Sequence, residues 1–457
     1  MNSEGRGSPD LDLVAGLVTG FLLLLITLAI VIGAQIGIRV TAQFPTGNTV
    51  GPYQALTLTF SEPVDGSLAV QKFSIQPAVK GKFQWTDSKT LRFIPVEPYQ
   101  PGTVYTFSFT SGQLTNNGGA LKKPRSWKFQ IRQPLIVYLV IDHQKSRLWT
   151  IERDNGKISA LTDDSFKIFD FDASHNGEFV IFSAINEQKG MDLWRVNRAG
   201  GTALLLLPCG PDRCSNPAIS PDGRRVAYVR EAAGPTPDLA YGSPRIRVVD
   251  VESKQDSPLY EDQQIIGIRS EWSPDGTRLA SYDGIKDEFR LLELVTGNQF
   301  TISSQTGGMV TWSADSSTFV YTDVDTNEFG LHTRIREAKI AINEITTLLG
   351  EKDEQDYHYS SLAWSPADSV LAIGFRPNPD NPEEALWLMN SATLDGQTIT
   401  DQHGYIYNNP IWDPWGKALI FEQFKLKGVY KPEISLWARN MNQPRIVAEG
   451  IMPHWLP

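Results

Sequence analysis

The 457-residue sequence is poor in the residues that most often carry chemistry in proteins. It has two cysteines and six histidines, and no two histidines stand in a His-x-x-x-His pair. It also lacks a Gly-x-Ser-x-Gly nucleophile turn, a phosphate-binding loop with Gly-Lys-Ser/Thr and a dinucleotide-binding glycine pattern. Each of these motifs supports one class of catalytic site. We therefore expect no cofactor and no enzymatic activity.

Long runs of basic residues are also missing. The formal net charge is −10 at pH 7, and the sequence pI is about 5.2. Proteins that bind nucleic acid present clustered lysine and arginine to the phosphates. The charge pattern therefore excludes nucleic acid as an expected partner.

Charged residues are absent from residues 13–34, a stretch of 22. A helix of that length is about 33 Å long, enough to cross the apolar core of a bilayer. A cleaved signal peptide would have a shorter apolar core and a more basic start. We expect an uncleaved signal anchor at 13–35, with 1–12 as a cytoplasmic tail and 36–47 as a linker.

Two pairs of glycines stand four residues apart in or beside this segment: Gly16 with Gly20, and Gly33 with Gly37. Small residues at this spacing let a second helix approach closely. Glycine is also frequent in membrane helices without such a partner. A helix partner through either pair and an ordinary glycine content both remain open.

Residues 48–132 contain short strand-like segments at intervals of about ten residues and no helical stretch. Ala55–Phe60 alternates apolar and polar residues, as a half-buried strand does. This pattern predicts a small β-sandwich.

The same region resembles the bacterial Ig-like domains of S-layer and other exported proteins. The resemblance is carried by Phe-Ser-Glu-Pro-Val-Asp at 60–65, by Pro77 to Gly81 and by Pro-Gly-Thr-Val-Tyr at 101–105. It implies a spacer or adhesive module outside the cytoplasm. We therefore expect a single-pass protein of the bacterial cytoplasmic membrane, with its N-terminus inside and both globular domains outside.

Six copies of one phrase follow: an apolar stretch, a turn related to Ser-Pro-Asp-Gly, and a second apolar stretch. The residues at its anchor position are Ser174, Ser220, Ser273, Ser313, Ser365 and Asp413. A period of about 40–50 residues with four short strands per unit is typical of a β-propeller. Tryptophan precedes the anchor at 272, 312, 364 and 412, and we expect these rings to pack between blades.

The two ends of this region predict how the ring closes. Residues 453–457 match the start of a seventh phrase, and strands at 135–140, 147–151 and 157–161 supply the rest of that blade. Closure of this kind removes exposed sheet edges. The fold class is therefore all-β: an N-terminal transmembrane helix, a small Ig-like sandwich at 48–132 and a propeller at 135–457. Seven blades are favoured, and six is the alternative if the first hairpin is a linker.

The repeat region resembles TolB-like and WD-like bacterial propellers, which carry the Trp-Ser-Pro-Asp-Gly phrase. Ser-Pro-Asp-Gly is intact at 220–223 and 273–276. The copies at 310–316 and 362–368 lack glycine at the usual place, which leaves blade borders open.

Cys209 and Cys214 are the only cysteines. In an exported protein we expect them to form a disulfide, and ordinary thiols are the alternative. Asp323, Asp325 and Asn327 have oxygen ligands at alternate positions, as in a calcium loop. Glycine at position six and glutamate at position twelve are missing, so a solvated turn is the favoured interpretation and no metal is expected.

The predicted binding surface is the end of the propeller where loops lead into the innermost strands. Tyrosine and histidine rings with polar tips suit recognition of peptides or glycans. The alternative is that these rings pack between blades 5 and 6. The candidate residues are Asn216, Arg269, Tyr357, His358, Tyr359, His403, Tyr405, Tyr407, Asn409 and His454.

The sequence thus predicts a membrane-anchored, extracytoplasmic binding or scaffold protein whose propeller recognises a protein, a peptide or a cell-envelope glycan. Two alternatives remain: an accessory subunit of a larger membrane complex, and a propeller enzyme that cleaves polysaccharide or peptide.

Overall fold

The computed structural model describes residues 11–142, 145–236, 239–327, 330–350, 357–376, 381–400, 403–428 and 430–457. The chain divides between Arg132 and Gln133 into two compact units.

The N-terminal unit begins with helix α1 (Leu11–Ile36). Within the described part of the chain, no helix meets the length and apolarity that a membrane crossing requires. The transmembrane anchor at 13–35 stays a prediction.

The predicted pair of Gly33 and Gly37 does not lie on one helix. Helix α1 ends at Ile36, and Gly37 has φ +68° in the left-handed region that glycine adopts without strain. A Cβ at Gly37 would lie 2.8 Å from the carbonyl oxygen of Ala120. Gly37 is thus a turn residue, whereas a Cβ at Gly16 or Gly20 would meet no described atom within 4 Å.

The rest of the unit is a sandwich of short strands with one short helix. Its elements are β1 (Val40–Phe44), β2 (Gly47–Val50), β3 (Leu56–Phe60), α2 (Gly66–Val70), β4 (Phe73–Gln76), β5 (Gly81–Asp87), β6 (Thr90–Pro95), β7 (Val104–Phe109), β8 (Gly112–Gln113), β9 (Ala120–Leu121) and β10 (Arg125–Ile131).

Two four-stranded sheets enclose the core of this sandwich. One has the strand order β1-β3-β6-β5 and the other β2-β10-β7-β4. Strands β3, β6 and β7 alternate buried residues with more exposed ones, so one face of each turns inward. Buried rings such as Phe60, Phe107 and Phe129 fill the space between the sheets.

The sandwich begins earlier than the sequence predicts. Strand β1 pairs antiparallel with β3, and β2 pairs parallel with β10. Both strands lie wholly or partly within 36–47, the predicted linker. That prediction is wrong for residues 40–44 and 47, because the edge strands of the sandwich come from this segment.

The C-terminal unit consists almost entirely of strands. They are β11 (Leu135–Asp142), β12 (Lys145–Glu152), β13 (Ile158–Ala160), β14 (Ile168–Ala173), β15 (Phe179–Ile185), β16 (Met191–Asn197), β17 (Leu204–Leu207), β18 (Arg213–Ile219), β19 (Arg225–Glu231), β20 (Arg245–Asp250), β21 (Asp256–Pro258), β22 (Gly267–Trp272), β23 (Arg278–Asp283), β24 (Glu288–Glu293), β25 (Gln299–Ser303), β26 (Val310–Trp312), β27 (Thr318–Asn327), β28 (Gly330–Lys339), a 3₁₀ turn (Ile340–Ile342), β29 (Glu344–Leu349), β30 (His358–Trp364), β31 (Val370–Arg376), β32 (Ala385–Asn390), β33 (Gly396–Thr398), β34 (Tyr405–Trp412), β35 (Ala418–Lys425), β36 (Glu433–Ala438), β37 (Arg445–Glu449) and β38 (Ile451–Leu456).

These strands pair antiparallel in groups of four. Group 1 joins β13-β12-β11 to β38, and groups 2 and 3, β14–β17 and β18–β21, are linked into one sheet through β16 and β18. Groups 4 to 7 are β22–β25, β26–β29, β30–β33 and β34–β37.

The first and last strands of the unit lie in the same sheet, as the sequence predicts. Strand β38 pairs antiparallel with β11, with Leu135 opposite Leu456 and Val137 opposite His454. The C-terminal strand therefore completes the first group.

Buried apolar clusters join each group to the next around a circle. Each cluster takes side chains from two successive groups. The last of these joins group 7 to group 1, where Ile420 and Leu436 pack with Ile136 and Trp455. The groups consequently form a closed ring.

Indole N–H groups add hydrogen bonds between neighbouring groups. Trp272 Nε1 donates to the Ala218 carbonyl at 2.9 Å, Trp412 Nε1 to Ala363 at 3.2 Å, and Trp455 Nε1 to Ile411 at 3.0 Å. In each case the acceptor lies two residues before the anchor of the preceding group. The expectation that these tryptophans pack between blades is confirmed at 272, 312 and 412, which are buried in clusters joining successive groups, and Trp364 packs partly buried against another such cluster.

Candidate functional site

The first strand in ring order of each group lines the inside of the ring. These strands are β38, β14, β18, β22, β26, β30 and β34, and successive members contact one another at most steps of the circle. We call the end where they begin the N-terminal rim. The opposite end, where the Ser-Pro-Asp-Gly turns lie, is the turn rim.

A β-bulge shapes the inner strands near the N-terminal rim. Asn216, Asn409 and Met452 lie at matching positions of their strands, with φ of 52°, 51° and 54°. Left-handed backbone at a non-glycine residue marks a locally constrained site. The register shifts beside Asn216 and Asn409 belong to these bulges.

Buried carboxylates hold two of the bulges in place. The Asn216 N–H donates to Asp170 Oδ2 at 2.7 Å, and the Met452 N–H donates to the Glu422 carboxylate. Burial raises the pKa of Asp170 to about 6, although hydrogen bonds from Ser183 and Asn216 oppose that shift. These two acids therefore serve to build the rim.

A second set of polar side chains lines the channel below the rim. Asp172 and Glu271 each stand two residues before their anchors, and His454 occupies the same place in β38. His454 Nδ1 lies 3.3 Å from Asp172 Oδ1, while Asp172 Oδ2 accepts the Ile219 N–H at 2.7 Å. The imidazole also packs on Phe171, with ring centroids 5.0 Å apart.

The charges of Glu271 on β22 and Asp172 on β14 interact. These strands belong to groups 4 and 2, with group 3 between them, so the two carboxylates face each other across the channel. The Glu271 side chain is reached by solvent, but surrounding protein atoms strip part of its hydration and raise its pKa to about 7. The negative charge of Asp172 raises it further, and the positive charge of Arg269 opposes that rise. The channel thus holds two interacting carboxylates, one of which titrates near neutral pH.

His175 stands just past the anchor of group 2 and also interacts with Asp172. Loss of hydration beside surrounding protein atoms lowers the pKa of the His175 imidazole, and the Asp172 charge opposes that shift. His175 therefore extends the same polar set toward the turn rim.

The predicted rim residues divide between the channel and the packing of groups 6 and 7. Tyr359 and Tyr407 are buried in the clusters that join successive groups. Tyr357 and Tyr405 are half-buried against those clusters.

The remaining predicted residues are closer to solvent. His358 is exposed, and His403 is exposed with its Nδ1 3.1 Å from Glu383. Arg269 is exposed on β22 and donates to the Gly308 carbonyl at 3.2 Å. Asn216, Arg269, Asn409 and His454 thus all lie on inner strands.

Sequence reasoning missed Asp172, His175 and Glu271. A signal was present, because aligning the copies on their anchors places Asp172, Glu271 and His454 at one position. That position faces the channel, so polar residues there could have been singled out.

Cys209 and Cys214 form a disulfide with Cα atoms 6.3 Å apart. Both are buried between groups 2 and 3, and the Cys209 N–H donates to Asp192 at 2.7 Å. The bridge closes the short connection between β17 and β18.

The calcium candidate residues Asp323 and Asp325 lie on strand β27 and already have partners. Asp325 pairs with Arg334 and Arg336, and Asp323 accepts hydrogen bonds from Ser304 Oγ and the Gln305 N–H. The side chain of Asn327 lies outside the described residues. In the described part of the chain, no three His, Cys, Asp or Glu side chains are arranged to hold a metal ion.

Residues 34–131 match the bacterial Ig-like domain family. The N-terminal sandwich is therefore a bacterial Ig-like domain, as its sequence indicates. A search of curated proteins found no match to the chain.

Solved structures similar to the chain include TolB from Acinetobacter baumannii. The identity is 12%, the match covers 84% of this chain and 83% of TolB, and the TM-score is 0.44. Oligogalacturonate lyase from Vibrio parahaemolyticus is also 12% identical, with 69% of this chain and 86% of the lyase covered and a TM-score of 0.49. Proteins named TolB are among the solved structures similar to the chain.

A study of two prolyl endopeptidases supplies another similar structure, with 12% identity and a TM-score of 0.52. It covers 71% of this chain, but the chain spans only 50% of the peptidase. This likeness concerns the fold alone.

Proposed function

We propose that the C-terminal unit is a seven-bladed propeller that binds a protein, peptide or glycan of the cell envelope at its N-terminal rim. The observation that carries this proposal is the polar lining of the channel beside that rim, formed by Arg269, Glu271 and the Asp172–His454 pair. Seven groups of four strands support the blade count. Propellers commonly bind ligands where side chains from several blades meet.

Charge supports recognition of a polar partner over an apolar one. Asp172 and Glu271 face one space, and Arg269 beside them carries the opposite charge. Complementary charge on a partner gives specificity and a faster association rate. A ligand that presents both an acidic and a basic group fits this arrangement.

Site-specific photo-crosslinking in cells tests the proposed binding rim. The full-length chain receives a photoreactive amino acid at Arg269 on the N-terminal rim or, as a matched control, at the exposed Arg224 beside the turn rim. We expect a discrete adduct from position 269 and none from position 224. Equal adducts at both positions, or adducts at 224 alone, would contradict the proposal.

The location proposed for both units is outside the cytoplasm. The bacterial Ig-like domain and the Cys209–Cys214 bridge support this location. Trapping thiols in intact cells with a maleimide and weighing the protein tests it. Addition of two maleimides to most molecules would show that both cysteines are reduced, which would contradict the proposed location.

Attachment to the membrane through residues 13–35 belongs to the same proposal and is supported by the uncharged sequence of 13–34. Alkaline carbonate extraction of membranes tests it with the full chain and a variant that lacks residues 1–35. The full chain should stay in the pellet and the variant should not. Release of both by carbonate would remove the anchor from the proposal.

A second candidate function is acid–base cleavage of a polysaccharide or peptide in the channel. It is favoured by one observation: Glu271, with a pKa of about 7, interacts with Asp172, and Asp172 in turn pairs with His454. Incubation of the chain and of Glu271→Gln with envelope glycan and peptide pools distinguishes the candidates. Cleavage that the substitution abolishes would favour catalysis, and no cleavage by either protein would favour binding alone.

A further inference from the structure

A cavity of about 130 Å³ lies at the N-terminal rim, away from the channel, where group 3 meets the segment leading into β22. Three arginines line it: Arg230 at the end of β19, and Arg245 and Arg247 at the start of β20. Its volume is roughly ten times what one ordered water needs. The cavity can therefore hold a small charged group with several attached carbons.

Two of these arginines have carboxylate partners. Arg230 Nη2 lies 2.8 Å from Asp212 Oδ2, and Arg247 Nη2 lies 2.8 Å from Asp256 Oδ2. Arg230 also approaches Asp256, at 3.6 Å. Two aspartates therefore fix and neutralise two guanidinium groups.

The third arginine has no such partner among the described residues. Arg245 Nη1 donates to the carbonyl oxygen of Pro244 at 3.0 Å, and no described carboxylate lies within 4.0 Å of its guanidinium. Asp262 also lines the cavity, and its Oδ1 accepts the Gln264 N–H at 2.8 Å within its own turn. Arg245 is thus the one arginine of the cavity wall whose guanidinium is not held in an ion pair among the described residues, and the carboxylate of Asp262 lies in the same wall without pairing with it.

Buried apolar and aromatic side chains also line the cavity. Ile246, Ile265 and Tyr260 are buried, and the Tyr260 hydroxyl is bound to Ser281 Oγ at 2.8 Å. A guanidinium fork beside such side chains recognises a planar anion better than it recognises a cation or a neutral amide.

We infer that this cavity binds a ligand carboxylate through Arg245, the one of its three arginines that is not ion-paired among the described residues. Two sources share this chemistry: the C-terminal carboxylate of a peptide and the carboxylate of a uronic acid. The inference goes beyond the proposed function, because it requires neither the channel nor a protein partner.

Ligand-observed NMR on the purified full chain tests the inference with four probes. The acids are N-acetyl-diglycine and D-glucuronate, and their neutral counterparts are N-acetyl-diglycine amide and D-glucose. We expect at least one acid to bind and neither neutral compound to do so. Binding of the peptide acid alone assigns the site to chain termini, and binding of glucuronate alone assigns it to uronic acids.

Variants tie the signal to the cavity. Arg245→Ala should weaken binding of the acid at least about tenfold, because it removes a pair of charge-assisted hydrogen bonds. Arg245→Lys keeps the charge, loses the fork and should give an intermediate affinity. Arg224→Ala, at an exposed arginine on the turn rim, should change nothing.

Three results would overturn the inference. They are equal binding of acids and their neutral counterparts, unchanged affinity in both Arg245 variants, and no binding of either acid up to about 50 mM, far above a millimolar dissociation constant. Circular dichroism of each variant establishes that it is folded. If Arg245→Ala does not fold, Arg245→Lys supplies the comparison.

Discussion

Single side chains connect neighbouring groups, and the tryptophans at the repeat position differ in which acceptor their indole N–H reaches. The indole N–H of Trp412 reaches a carbonyl of the preceding group, whereas Trp364 Nε1 donates to Asp368 within its own turn. Trp312 Nε1 is buried without an acceptor among the described residues. The same residue type at the same repeat position therefore contributes differently to stability.

Replacing Trp412 by phenylalanine should cost more stability than the same change at Trp312. Trp412→Phe removes a hydrogen bond and leaves the Ala363 carbonyl without this donor, while Trp312→Phe removes an N–H that has no acceptor in the described part of the chain. The expected difference in the free energy of unfolding is about 1 kcal/mol. Urea denaturation of both variants measures it, and equal losses would show that the bond between groups is not stabilising.

Glu271 should make stability depend on pH. Its pKa is raised to about 7 in the folded chain, above the usual value of 4.5, so the folded state binds the proton more tightly. Stability from this group is then lost as pH rises from about 4.5 to about 7. Glu271→Gln should match the wild type at pH 5 and unfold about 1–2 °C higher at pH 8, a small shift because solvent reaches the group.

Melting curves at both pH values check this expectation. The matched control is Glu178→Gln, an exposed glutamate of group 2. A variant that melts at the wild-type temperature at pH 8 would mean that neither loss of hydration nor the Asp172 charge raises the pKa of Glu271 in the folded chain.

At the scale of elements, the turn of group 2 packs against the end of the C-terminal strand. Gly177 has φ +69°, and a Cβ there would lie 1.7 Å from the carbonyl oxygen of Pro457. Arg198 Nη1 donates to the same oxygen at 2.9 Å. The end of β38 is therefore held by group 2 as well as by its own sheet.

Gly177→Ala should destabilise the chain by about 1–3 kcal/mol more than Gly156→Ala, because only the first alanine overlaps Pro457. Both glycines have φ +69°, so alanine suffers the same backbone strain at each, but a Cβ at Gly156 would meet no described atom within 4 Å. Chemical denaturation gives both values, and identical losses would mean that Pro457 does not pack on this turn.

Sequence reasoning succeeded where local patterns decide the structure. The repeated phrase predicts the inner strands and turns, because Gly177, Gly223 and Gly276 all need φ near +70°. At 316 the phrase has serine, yet the backbone keeps φ 61°, and Ser316 Oγ accepts the Asp275 N–H. The turn survives because a contact to the neighbouring turn compensates for the missing glycine.

The errors arose where contacts distant in sequence decide. Val40–Phe44 is a strand because it pairs with β3, and the sequence of the segment itself does not indicate that partner. Tyr359 and Tyr407 are candidates for the rim by sequence, but alternation along their strands turns them into the clusters between groups. The pairing of Asp172 with His454 joins two distant parts of the chain and is not visible in either phrase alone.

At the scale of the whole molecule, the chain combines two units with separate cores. The bacterial Ig-like domain has its own apolar core between two sheets. In the C-terminal unit, the buried apolar clusters instead lie between successive groups. Its channel is consequently free to carry polar residues, and the proposed binding function at the channel depends on the ring being closed.

Hydrogen exchange of the full chain tests that closure most directly. Strand β38 pairs with β11 from Leu135 opposite Leu456 to Leu139 opposite Ile451. We predict that peptides covering 451–457 and 135–142 exchange slowly and together, as strands inside a stable sheet do. Rapid exchange of 451–457 would contradict the closed ring and, with it, the shared rim on which the proposed function depends.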